Sequence, residues 1–170
     1  MRNKRTFLLF LAALASVGLA ATLFLRFAVP KAAPQAPAKV QTLLRPNDMP
    51  LLVQGERIYR ARCASCHGAN LEGQANWRER GPDGLLPAPP HDNSGHTWHH
   101  PDEQLFRLTK YGVAKVADMP DYKSAMPAFE GVLSDQDIVA VLSWIKSKWP
   151  PAVRARHDQI NAQYAASRQQ

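Results

Sequence analysis

Both cysteines of this chain lie in one five-residue stretch, Cys63-Ala64-Ser65-Cys66-His67. On a helical turn, thiols at i and i+3 fall on one face. The histidine follows directly. Cys-x-x-Cys-His is the attachment signature of a c-type haem. The two thiols add to the two vinyl groups on one porphyrin edge, and the adjacent imidazole ligates the iron from one side. A chain built on this motif has to fold around a flat macrocycle.

Three other uses of the cysteines compare poorly. A thioredoxin-like pair needs a βαβ setting, and no run of β-branched residues supplies the strands. A disulfide across two residues closes a tiny loop and adds little stability. Zinc is the stronger rival, because His96 and His100 form an H-x3-H pair that completes a Cys2His2 set. However, 29 residues separate Cys66 from His96, far beyond the usual finger spacing of about 12–15.

The formal charge of +7 is confined to one end of the chain. Residues 1–46 carry seven basic and no acidic residues, and residues 47–170 carry 14 of each. That distribution speaks for targeting or anchoring and against nucleic acid. Residues 1–27 read as a membrane anchor or signal segment. Phe7–Leu25 is an uncharged run of 19 residues, enough at about 1.5 Å per residue to span a core of roughly 30 Å. A cleaved signal has a shorter apolar stretch, so the run favours an uncleaved transmembrane helix. Arg2, Lys4 and Arg5 stay inside by the positive-inside rule. The expected location is the bacterial inner membrane, single-pass, with the soluble domain in the periplasm, where c-type haem is attached.

Residues 28–50 read as a Pro/Ala-rich linker, extended at about 3.1 Å per residue where polyproline-like. Residues 51–149 read as the folded domain. The pattern predicts a first helix over 51–63 leading into the motif, then a loop over 68–100 rich in Gly and Pro. A short helix begins at Pro101, buries Leu105 and Leu108, and stops at Gly112. Residues 113–133 read as irregular. The last core helix has Ser134 as N-cap with Asp137 three residues on. Ile138, Val141, Leu142 and Ile145 recur at helical spacing in it, and Pro150-Pro151 ends it. Residues 150–170 read as an appended helical extension with a thin stripe of Val153, Ile160 and Tyr164. The expected fold class is all-α.

A c-type haem held by His67 needs a second axial group, and methionine is common in electron carriers because it raises the potential. Of the four methionines, Met119-Pro120 and Met126-Pro127 both lie in the irregular segment before the last helix. Gly55-x-x-x-Tyr59, the Cys63–Gly68 motif, Met126-Pro127-Ala128-Phe129, Leu133-Ser134-Asp135-x-x-Ile138 and Trp144 together resemble a class I c-type cytochrome over residues 52–148. The resemblance implies the class I cytochrome c fold, one covalent haem c, and Met126 rather than Met119 as the distal ligand opposite His67. It implies that Gly55 and Tyr59 of the first helix pack against Trp144 of the last. It also implies that a loop proline accepts a hydrogen bond from the proximal imidazole. Pro89 fits best, although the loop here is longer than the family's.

His91, His96, His99 and His100 cluster around Trp98. A copper or zinc site is one reading. The favoured one is a loop lining the haem edge, in which Trp98 or a histidine donates to a buried propionate. The resemblance further implies a one-electron carrier with no catalytic residues and no small-molecule substrate. Its expected partners are redox proteins in or at the membrane, such as a quinol-oxidising complex and a terminal oxidase or dehydrogenase. A fixed haem subunit of a larger membrane complex is the alternative, and a small-molecule-binding haem enzyme or sensor the weaker third.

Overall fold

The computed structural model describes residues 43–169. The predicted N-terminal transmembrane helix lies outside these residues. Among the described residues there is no strand, and no helix is long and apolar enough to cross a membrane.

Helix α1 spans Met49–Arg62. It starts two residues earlier than its hydrophobic pattern suggests, because the Asp48 side chain accepts from the Leu51 N–H and Pro50 occupies the first turn. Proline suits that position, where its missing N–H has no helical partner anyway. Leu51, Gly55, Ile58 and Tyr59 form its buried face. A single-turn helix α2, Ala64–His67, follows after Cys63. Helix α3, Asp102–Tyr111, starts after Pro101 with Asp102 and Glu103 at its positive end. It stops at Gly112, whose φ of 81° an L-residue side chain resists. The 113–133 segment, read as irregular, contains the short helix α4, Val113–Val116.

Helix α5, Asp135–Ser147, opens with a complete capping box: the Ser134 hydroxyl accepts from the Asp137 N–H, and the Asp137 carboxylate accepts from the Ser134 N–H. The Ser134 hydroxyl also donates to the Asp137 carboxylate at 2.7 Å, and this bond, then one from Gln54 Nε2 at 2.7 Å and the one from the Ser134 N–H, hold the Asp137 carboxyl below its ordinary pKa. Ile138, Val141, Leu142 and Ile145 are all buried, each worth about 1.5–3 kcal/mol of transfer free energy. Helix α5 packs along α1, and the Tyr59 and Trp144 rings meet at 4.7 Å between centroids. The Trp144 Nε1–H is buried without a hydrogen-bond partner.

Helix α6, Pro151–Ser167, is fastened differently from the stripe expected of it. Its buried residues are His157 and Asn161, and Val153 packs against the core edge. Asn161 pairs twice with Asp102: its Oδ1 accepts from the Asp102 N–H at 2.7 Å, and its Nδ2 donates to Asp102 Oδ1 at 3.0 Å. The other carboxylate oxygen of Asp102 accepts from the Leu44 N–H at 2.9 Å. Lys146 is 1% exposed and donates to Asp158 at 2.6 Å, with Asp102 3.8 Å away. Leu44, assigned to the linker by composition, is thus a buried part of the domain. Composition alone does not reveal a backbone N–H that meets a carboxylate 58 residues away.

Candidate functional site

Cys63 closes α1 and begins α2, so both cysteines and His67 sit on the end of one nearly continuous helical run. The Cys63 N–H donates to the Tyr59 carbonyl at 2.9 Å, and the His67 N–H to the Cys63 carbonyl at 2.9 Å. Both thiols are free. Cys66 is exposed and Cys63 half-buried. Burial, with Cys66 beside it, pushes the Cys63 thiol up to about 11, so it is neutral at pH 7. The Tyr59 hydroxyl donates to the Gly68 carbonyl at 2.8 Å. Gly68 turns the chain with φ of 80°, and the Gly73 N–H returns to the His67 carbonyl at 2.8 Å.

His67 is 6% exposed. Its Nδ1 lies 2.9 Å from the Pro89 carbonyl oxygen. A carbonyl only accepts, so Nδ1 carries the hydrogen and Nε2 keeps its lone pair. Burial lowers the pKa of His67, partly offset by the bond to Pro89. A neutral imidazole with one nitrogen pinned to a carbonyl and the other free is the arrangement of a metal-bound histidine.

His91 stacks on this ring, with centroids 4.0 Å apart and planes 21° off parallel. Its Nδ1 is 2.8 Å from the Thr97 hydroxyl, which in turn donates to the Pro90 carbonyl at 3.5 Å. The His91 N–H donates to the Leu71 carbonyl at 2.8 Å, and the His91 carbonyl accepts from Trp149 Nε1 at 2.8 Å. Burial, with His67 and His96 adding, lowers its pKa well below the usual value. In the sequence His91 groups with His96, His99 and His100. Its place two residues beyond Pro89 and five before His96 sets it apart from them.

The two candidate methionines differ in setting. Met126 is half-buried, its N–H donating to the Ser124 hydroxyl at 3.1 Å. The segment after it is fixed to α3 by the Phe129 N–H donating to the Thr109 carbonyl and the Glu130 N–H to the Lys110 carbonyl. Met119 is 49% exposed and lines an open surface depression with Arg80, Asp121 and Lys123. Trp98 donates through Nε1 to the Asn93 carbonyl at 3.4 Å and stacks on His99 at 3.7 Å. The remaining histidines stack as well. Trp77 lies on His96 at 5.4 Å, and His96 meets His100 edge-on at 5.5 Å. His100 is extended before Pro101, with φ of −103° and ψ of 139°, as a residue preceding proline prefers. Among the described residues, no group of three or more His, Cys, Asp or Glu is arranged to hold a metal.

A helical domain with two free thiols and a buried, singly pinned imidazole on one turn defines a c-type cytochrome. The family described as "Cytochrome C oxidase, cbb3-type, subunit III" matches residues 50–145, more than half of the chain, and the chain belongs to that family. Comparison with curated proteins and with solved structures gave no match. The family implies haem c and electron transfer. The donor set fits that cofactor: the thiols are not tied in a disulfide, and the His67 Nε2 lone pair is free.

Proposed function

We propose that this protein is a membrane-tethered, monohaem cytochrome that passes single electrons between respiratory proteins on the periplasmic side of a bacterial inner membrane. Cys63 and Cys66 would hold one haem c covalently, and His67 and Met126 would bind its iron. Haem c supplies a reversible one-electron iron couple when bound. The chain's own groups orient and bury it. Pro89 fixes the imidazole tautomer, and Gly55, Tyr59 and Trp144 build the helix crossing beside the motif. With both His67 and Met126 binding it, the haem would supply electron transfer rather than substrate chemistry. The observation that carries the reading is the His67–Pro89 bond at 2.9 Å, which presents Nε2 as a ligand.

The tether is Phe7–Leu25 followed by the Pro/Ala-rich segment. A linker keeps a domain at high effective concentration near its partners. The family description favours a second reading, in which the domain is a fixed subunit of an oxidase complex and α6 is a docking element.

Acid–acetone extraction of the denatured protein tests the cofactor. The haem is expected to stay on the polypeptide and to be lost from the double variant Cys63→Ala, Cys66→Ala. Complete extraction from the unaltered protein would end the reading. Purification from membranes in mild detergent separates carrier from subunit, since a stoichiometric partner favours the subunit. Gly18-Leu19-Ala20 would serve as a cleavage site, so N-terminal sequencing that begins after Ala20, with the protein in the periplasmic fraction, would replace the anchor with a cleaved signal.

A further inference from the structure

We propose that His91 is a positioning residue for the proximal imidazole: by stacking on His67 it fixes the plane in which that ring faces the iron. The proposal rests on haem c being held at Cys63, Cys66 and His67.

The bond from His67 Nδ1 to the Pro89 carbonyl sets where the ring points. It does not fully set the tilt. Hydrogen bonds weaken steeply only below about 120°, so the ring can rock by tens of degrees and keep the bond. The His91 ring removes that freedom. At 4.0 Å between centroids and 21° between planes, tilting toward it drives one ring into the other. Together a point contact and a flat contact define the imidazole plane.

His91 is suited to this because it is itself held from three sides. Its N–H bonds to Leu71 and its Nδ1 to Thr97, while its carbonyl accepts from Trp149, two residues past the end of α5. None of these residues belongs to the attachment motif. Trp149 also meets His157 of α6 edge-on at 5.0 Å. A continuous line of contacts therefore runs from the C-terminal helix through Trp149 and His91 to His67. Groups behind a metal-bound histidine orient it and tune the metal, and haem potentials respond to the axial ligand and its surroundings.

The test uses the full-length, haem-loaded protein in detergent, compared with His91→Ala, His91→Leu and His91→Phe. Phenylalanine keeps a flat ring but gives up the bond to Thr97, leucine keeps bulk without flatness, and alanine keeps neither. The readouts are the pattern of haem methyl resonances in the oxidised protein, which follows the orientation of the axial imidazole plane, and the redox equilibrium against a fixed mediator. Alanine and leucine are expected to change the methyl pattern and to move the equilibrium ratio by about threefold or more, about 28 mV at 59 mV per decade for one electron. Phenylalanine is expected to restore both toward the unaltered protein. Unchanged pattern and ratio in the alanine and leucine variants, or a phenylalanine variant that behaves like leucine, would overturn the proposal. If the alanine variant fails to fold, the leucine–phenylalanine comparison still decides. An unaltered protein without covalent haem would instead sink the functional reading, and this proposal with it.

Discussion

A methyl group placed on Gly55 would lie 2.1 Å from the backbone carbonyl oxygen of Ala140 and 2.8 Å from Cβ of Trp144. Helices α1 and α5 meet at this point, and neither contacted atom is the end of a flexible side chain. Gly55→Ala must therefore push the helices apart. We expect a loss at the upper end of the range of about 1–3 kcal/mol found for overpacked cores. Denaturant unfolding of the purified domain measures it. A loss below about 0.5 kcal/mol would show that the crossing can yield.

Asn161→Ala removes both bonds that tie α6 to Asp102. Each buried polar group left unpaired costs about 1–3 kcal/mol. The variant should unfold at lower denaturant and be cut by protease between Ser147 and Pro151. Gln163→Ala, at an exposed position on the same helix, should stay within about 0.5 kcal/mol. Equal behaviour of the two would deny the network its role.

The pH dependence of stability has a definite sign at His157. Burial, and then the Lys146 charge, lower its pKa in the folded state despite Asp102 nearby. The structure explains why neutrality is kept. Nε2 bonds to the His100 carbonyl at 2.9 Å, and Nδ1 faces the Asn161 amide nitrogen at 3.4 Å. A proton on Nδ1 would face a donor. The unfolded chain takes up that proton below about 6.5 and the folded chain does not, so stability is present above this pH and falls as pH drops below it, by up to about 1.4 kcal/mol per unit. His157→Gln should flatten this slope between pH 7 and 5. An unchanged slope would assign the dependence to other groups.

Met126→Ala should abolish the weak charge-transfer band at the red end of the oxidised spectrum. Met119→Ala should keep it, since that side chain sits in the open depression by Arg80. The reverse outcome would exchange the ligand assignment.

What could be read from the chain divides along the range of the interactions. The capping box at Ser134 and Asp137, the stop at Gly112 and the buried face of α5 are local, and spacing alone predicts them. The hydrogen bond between His67 and Pro89 spans 22 residues and was legible only because a known family supplied the pattern. Pairings such as Asp102 with Asn161, or Trp149 with His91, join residues 59 and 58 positions apart, each between a side chain and a backbone group. No periodicity marks them. Lys146 shows the same limit, since its place near the end of a helix suggests an exposed charge at the negative pole, yet it is 1% exposed.

The sharing of Asp102 between Leu44 and Asn161 imposes an order on biogenesis. A chain is made from its N-terminus, so the carboxylate and its first partner emerge well before Asn161 does. Between His67 and Asn161 lie 93 residues, which at about 5–20 residues per second take roughly 5–20 s to make. Until then the domain lacks the two bonds by which Asn161 fastens its last helix to Asp102. The C-terminal helix is thus the last part of the fold to be secured, and it completes the pairing of Asp102 after everything it fastens has been made.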